Sequence, residues 1–272
     1  MRVALTGALA TLATTLLSAV AFAQTYPSTS PVPRTTSAPA LRALATQREV
    51  EERFRIGLDD LAGHDWKGAA EEFERIVAIN PPEPKGSTAR YDLAIADANL
   101  GRYDDAARQL RDAIALDPGF LAAMANLVAV DLERGDLREA RSVADRFTAL
   151  APDSARALYA RGIVALQSGD SATAREDFGK LLKANPAYAV AHYDLALAEE
   201  HLGHLDSAER ELRTALALSP AYARAEFALG AVLLRQGRRA EAKEAFVRTL
   251  RDAAGDPALQ NIAAAMRDSI VI

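Results

Sequence analysis

From about residue 50 onward, apolar residues recur three and four positions apart, as in Leu93, Ala94 and Ala98 or Leu195, Ala196 and Leu202. That spacing places them on one face of an α-helix. The apolar runs are punctuated at an even step of 34 residues by prolines at Pro118, Pro152, Pro186 and Pro220. Glycines keep the same step at Gly101, Gly135, Gly169, Gly203 and Gly237, and alanines at Ala106, Ala140, Ala174, Ala208 and Ala242. Three combs with one period and a fixed offset mark a tandem repeat. Each has a physical task. The glycine ends a first helix of about 13 residues, because a left-handed C′ residue is cheapest without a side chain. An aspartate often follows, as Asp136 and Asp170 do, and its carboxylate can cap the next helix. The alanine lies early in that second helix, where two helices cross closely. The proline stops the second helix just past its end.

Extended backward, Ala69 and Pro81 fit the frame after a three-residue insertion around Pro82 to Gly86. Six helix–turn–helix units are therefore expected, starting near Val50, Ser87, Leu121, Ala155, Ala189 and Ala223. Together they form an array over residues 41–256. The segment from Ala258 to Val271 reads as a closing helix within 257–272, shielding the last apolar face.

The beginning of the chain follows a different pattern. Arg2 precedes a run of apolar residues and threonines from Val3 to Val20, and Ala21-Phe22-Ala23 supplies the small-x-small site of a signal peptidase. Residues 1–23 are expected to be a signal peptide cleaved after Ala23, making the mature protein periplasmic or secreted, with no membrane insertion after cleavage. An uncleaved anchor is the alternative, since the run is nearly long enough to span a bilayer. Residues 24–40, rich in Ser, Thr and Pro, read as a disordered tether.

Composition narrows the function classes. Half of the residues are hydrophobic but only 6% are aromatic, a composition dominated by helix-forming Ala and Leu. The net charge of −5 argues against a dedicated nucleic-acid binder. With no cysteine, thiol catalysis, disulfides, zinc–thiolate sites and a lipidated N-terminal cysteine are ruled out.

The repeat resembles that of the tetratricopeptide repeat family over about residues 50–256. The family's Leu–Gly/Ala pair, small–aromatic/Leu–small trio and terminal Asp/Asn-Pro are found here as follows. Ile56-Gly57 stands with Ala69, Phe73 and Asn80-Pro81, and Leu93-Ala94 with Ala106, Leu110, Ala113 and Asp117-Pro118. Later units carry Gly162 with Ala174, Phe178 and Asn185-Pro186, and Leu229-Gly230 with Ala242 and Phe246. The pattern departs at Arg161, where Leu is expected, and at Thr249 and Ala254 in the final unit. A long stem that packs while its head reaches water is the reading for Arg161. The resemblance implies an all-α, right-handed superhelical solenoid whose first helices line a concave, polypeptide-binding groove.

The fifth residue of each unit gives a ladder of Phe54, Tyr91, Ala125, Tyr159, Tyr193 and Phe227, and the next turn gives Leu58, Ile95, Ala129, Ile163, Leu197 and Ala231. Phe54, Tyr91, Tyr159, Ile163, Tyr193, Leu197 and Phe227, with Arg156 and Arg224 alongside, form the candidate partner-binding set. The competing reading is that the rings pack repeat against repeat. Asn99, Glu133, Gln167, Glu200, His201 and Arg235 share the stripe. The Lys and Asn residues with which chaperone-binding members of the family clamp a carboxylate are absent, apart from Asn126. Asp60, Asp97, Asp131 and Glu199 lie near mid-helix, either steering a basic partner or pairing with nearby arginines.

His201 and His204, with Glu199 and Glu200, look like a metal cluster, but Gly203 separates the two rings across a helix end. No metal or cofactor is therefore expected. No phosphate loop, nucleophile elbow or HExxH motif is present. The sequence reads as a non-catalytic scaffold or chaperone-like protein of the bacterial cell envelope that binds other proteins or peptides. A subunit of an envelope assembly machine, or a structural oligomer joined through its array ends, is the alternative.

Overall fold

The computed structural model describes residues 38–270 of the chain. The expected export signal, and the expected tether up to residue 37, lie outside the described residues. Among the described residues thirteen helices follow one another. The first helices of the six repeats are α1 (Ala38–Ala62), α3 (Lys85–Asn99), α5 (Leu121–Glu133), α7 (Ala155–Gln167), α9 (Ala189–His201) and α11 (Ala223–Arg235). The second helices are α2 (Trp66–Ile79), α4 (Tyr103–Leu116), α6 (Leu137–Leu150), α8 (Ser171–Ala184), α10 (Leu205–Leu218) and α12 (Arg239–Asp252), and α13 (Pro257–Ser269) closes the series. Among the described residues no strand forms. The last four repeats start where the combs place them. Repeat 2 starts two residues early, at Lys85, and α1 reaches back to Ala38, into the stretch expected to be tether. Pro39 is compatible with helix there because the first turn has no backbone acceptor for its missing N–H.

Each comb does its expected work. The five glycines have φ between 72° and 82°. Repeat 1 has no glycine at that place, and His64 takes the left-handed conformation itself, with φ 62°. Asp136 and Asp170 accept from the backbone N–H of Glu139 and Thr173 at 3.1 and 3.2 Å. The six alanines from Ala69 to Ala242 are wholly buried. In place of a glycine–proline loop, repeat 2 is entered through the insertion, where Glu83 accepts from the Ser87 N–H at 3.1 Å.

The closeness of the first and second helices is set by matched side-chain sizes. A Cβ added to Gly57, Gly162 or Gly230 would meet the ring of Phe73, Phe178 or Phe246 at 2.9, 2.6 and 2.8 Å. Repeats 2 and 5 hold Ala94 with Leu110 and Ala196 with Leu212 at the same two places. A larger residue on one helix goes with a smaller one on the other, as close packing requires.

The chain divides into two compact units, one ending at Val143 and the other beginning at Ala144, so the division falls inside α6. In the first unit Val50, Phe54, Phe73, Ile76, Ala89 and Leu93 belong to one core cluster. In the second, Leu212, Leu229, Val232, Leu233 and Phe246 cluster with Ile270, and Met266 of α13 packs against them. That contact gives the closing helix its purpose.

Candidate functional site

In the second unit the first helices α7, α9 and α11 bring one repeat position after another onto a shared face. Tyr159 seats its ring 5.9 Å from Phe178 in its own repeat and 5.6 Å from Tyr188, which precedes the next first helix. Tyr193 lies 5.2 Å from Tyr222, and Phe227 lies 5.4 Å from Phe246. The ladder therefore serves packing within and between repeats, and this divides the predicted set. Tyr159 and Ile163 are buried at 5% and 4% exposure. Tyr193, Leu197, Phe227, Arg156 and Arg224 keep partial exposure and are the members a ligand can reach. In the first unit Phe54 and Tyr91 are buried as well, against Phe73 at 5.8 Å and Phe120 at 5.0 Å. These four side chains help to build the wall of the first-helix face.

The polar residues of the stripe are largely engaged. Glu200 accepts from Arg235 at 2.9 Å, linking the C-terminal ends of α9 and α11. Asn99 donates to the Ile95 carbonyl at 2.8 Å, and His201 Nδ1 lies 3.4 Å from Ser171 Oγ. Three of the four mid-helix acids have basic neighbours. Asp97 pairs with Arg102 at 3.4 Å, Asp131 with Arg134 at 2.7 Å and Arg111 at 3.2 Å, and Glu199 with His204 at 2.7 Å. Asp60 instead lies among acids, and burial together with Asp65 and Glu72 raises its carboxyl above the usual range. Arg161 adds a partner to the sequence reading: its side chain stays partly exposed, and its guanidinium forks onto the fully buried Asp177 at 2.6 and 2.7 Å. A buried carboxylate needs a partner, and Arg161 stands where Leu would leave it without one.

Sequence reasoning missed two aspartates on this face. Asp194 of α9 is 4% exposed, and the Tyr159 hydroxyl donates to its Oδ2 at 3.0 Å. Burial pushes Asp194 up to about 7, and the Tyr159 hydrogen bond only partly opposes this. Burial, then the Asp194 charge, drives the Tyr159 hydroxyl above its ordinary range. Asp92 of α3 holds the same place three repeats earlier, at 7% exposure, and burial alone pushes it up to about 7. The available signal was a repeated quartet, Tyr91-Asp92-Leu93-Ala94 and Tyr193-Asp194-Leu195-Ala196.

Among the described residues no group of three or more His, Cys, Asp or Glu is placed to hold a metal ion, and no helix is long and apolar enough to cross a membrane.

A tetratricopeptide repeat model matches residues 100–162 and 202–266. A second model of the same description matches 54–120 and 159–223, so the two together run without a break from 54 to 266. The chain belongs to the tetratricopeptide repeat family. No curated protein matches it in sequence. Among solved structures it is similar to MamA from Desulfovibrio magneticus RS-1, at 21% identity and a TM-score of 0.58, covering 63% of this chain and 97% of that one. A tetratricopeptide repeat protein from Parabacteroides merdae matches at 17% identity and a TM-score of 0.60, covering 80% and 99%. A chain of the Cut9–Hcn1 hetero-tetramer of APC/C matches at 19% and 0.66, covering 85% of this chain and 45% of that one. At such identities the likeness speaks for the fold. The tetratricopeptide repeat is a protein-interaction fold, and the partly exposed Tyr193, Leu197, Phe227, Arg156 and Arg224 lie on its first helices.

Proposed function

We propose that this chain is a non-catalytic interaction module of a bacterial cell envelope, which holds a polypeptide segment against its first helices. The observation that carries the reading lies in the second unit. Tyr193, Leu197 and Phe227 stay partly exposed on α9 and α11 beside Arg156 and Arg224, whereas Phe178, Leu212 and Phe246 of the second helices are buried. Partly exposed aromatics on a rigid helical scaffold present contact area at low entropic cost. The envelope assignment rests on the Arg2-led apolar run and Ala21-Phe22-Ala23, so mass spectrometry of the secreted or periplasmic form should find Gln24 at the N-terminus. An intact Met1 in the membrane fraction makes the protein a tethered one.

The binding reading is tested with Leu197→Ala and Phe227→Ala combined, measuring melting and capture of partners from envelope extract on the same samples. Loss of capture with unchanged melting supports the face, since truncating contact residues at a binding hot spot costs about 2 kcal/mol or more. Undiminished capture with unchanged melting moves the binding surface off the first helices.

A further inference from the structure

The two Tyr-Asp-Leu-Ala quartets place chemically identical aspartates in different surroundings. In repeat 5, Asp194 receives the hydroxyl of Tyr159, the fifth residue of the preceding first helix. In repeat 2 the corresponding residue of the preceding first helix is Phe54. The two rings are seated alike, Phe54 at 5.8 Å from Phe73 and Tyr159 at 5.9 Å from Phe178. Phe54 therefore stands where a donor would be and has none. Nothing replaces it: among the described residues Asp92 has no hydrogen-bond or ion-pair partner.

The cations on surrounding elements are committed elsewhere. Arg90 on α3 donates to the Gly86 carbonyl, Arg55 on α1 pairs with Glu52 and Asp59, Arg111 on α4 pairs with Asp131, and Arg134 after α5 holds Asp131 and Asp104. The residue of α5 equivalent to Asp92 is Asn126, wholly buried and uncharged. Two turns further along α5, Glu133 also has a buried oxygen without a partner, and burial is the one influence that raises its carboxyl. A carboxylate that is largely buried without a counter-charge is unfavourable, and a group of that kind persists where something else completes it.

We propose that the first-helix face of the N-terminal unit receives an arginine side chain of the bound polypeptide, its guanidinium pairing with Asp92 and its apolar neighbours lying along Leu58 and Ile95. The inference rests on polypeptide binding as proposed above and adds the chemistry of one ligand residue. Arginine fits better than lysine: its guanidinium is less strongly hydrated, so it gives up water more cheaply, and its fork matches a carboxylate. Glu133 extends the acidic character of the face toward the next basic residue of such a ligand.

The test uses the full chain and two fluorescein-labelled Ala/Leu peptides that differ at one central residue, arginine in one and the uncharged, near-isosteric citrulline in the other. Affinities are read by anisotropy at about pH 8, where carboxylates even of raised pKa are ionised. The arginine peptide is expected to bind about tenfold more tightly, the scale of a hydrogen bond between charged groups. Asp92→Asn, which copies Asn126, should erase the preference. So should Phe54→Tyr, which gives Asp92 the donor that Asp194 already has and leaves the core volume nearly unchanged. If Asp92→Asn fails to fold, Phe54→Tyr decides. Equal binding of the two peptides, or a preference that survives in a folded variant, overturns the arginine site and leaves polypeptide capture standing. Binding of neither peptide also overturns it, and together with failed capture from envelope extract it overturns the reading beneath.

Discussion

Repeats 2 and 5 are near copies at the level of four residues and opposites in their electrostatics. Both bury an aspartate on a first helix, yet one of them is hydrogen-bonded by a tyrosine and the other has a phenylalanine at the tyrosine's repeat position. Tyr159 donates to Asp194, the Asp194 charge also raises the hydroxyls of Tyr188, Tyr193 and Tyr222, and Arg224 lowers those of Tyr193 and Tyr222 against the larger effect of burial. Around Asp92 burial is unopposed. A single oxygen atom, present on Tyr159 and absent from Phe54, thus separates a repeat whose buried aspartate receives a hydrogen bond from one whose aspartate receives none. In a repeat protein, function can be written by such small omissions, because the scaffold on either side is already fixed by its neighbours.

The comparison is sharpened first by pH. The folded protein holds Asp92 and Asp194 up at about 7, above the ordinary 3.8, so the native state binds these protons more tightly than the unfolded chain does. Their penalty is absent below about pH 4, grows between about 4 and 7, and is complete above that. Melting temperature should fall by several degrees from pH 5.5 to pH 8, and Asp194→Asn and Asp92→Asn should each flatten that slope. Glu209, held at about 2 chiefly by Arg238 and Arg213 against burial, loses its contribution only at lower pH and does not mask the effect. A slope unchanged in both variants breaks the comparison.

Next in size is Tyr159→Phe, which makes repeat 5 resemble repeat 2. Leaving Asp194 buried and unpaired should cost about 1–3 kcal/mol in denaturant unfolding. The reverse change, Phe54→Tyr, should stabilise the first unit by about 0.5–1.5 kcal/mol, the net value of one hydrogen bond. The smallest effect serves as the baseline: Arg138→Ala, at an exposed position of α6, should change stability by less than about 0.5 kcal/mol.

The repeat frame was legible because each comb residue answers a backbone or crossing requirement that few residue types satisfy. Ala174 has to be small, Gly169 has to reach positive φ, and Pro186 has to end a helix. Where another residue can meet the requirement at some cost, the comb falls silent, as at His64. The site was less legible. Aromatic periodicity located the first-helix ladder, but spacing alone does not separate the partly exposed Tyr193 from the buried Tyr159. That depends on how far the following repeat covers each ring. Asp92 and Asp194 read in sequence as two polar letters among many, and their burial follows from contacts between helices some 34 residues apart. The partner of Arg161 was not legible for the same reason, since Asp177 sits on the facing helix.

The matched sizes across each hairpin also bear on how such an array can change over generations. Repeats 1, 4 and 6 pair a glycine with a phenylalanine, whereas repeats 2 and 5 pair an alanine with a leucine. Unequal recombination that breaks the gene in the proline-bearing loop between repeats moves whole hairpins and keeps each pair together. A break in the glycine turn inside a repeat can join the α3 half of repeat 2 to the α8 half of repeat 4, setting Ala94 against Phe178. A Cβ at the glycine place lies under 3 Å from that ring, so this chimera begins with a clash. The array can therefore lengthen, shorten and shuffle at one kind of seam and resists it at the other, which makes the hairpin its unit of inheritance as well as of folding.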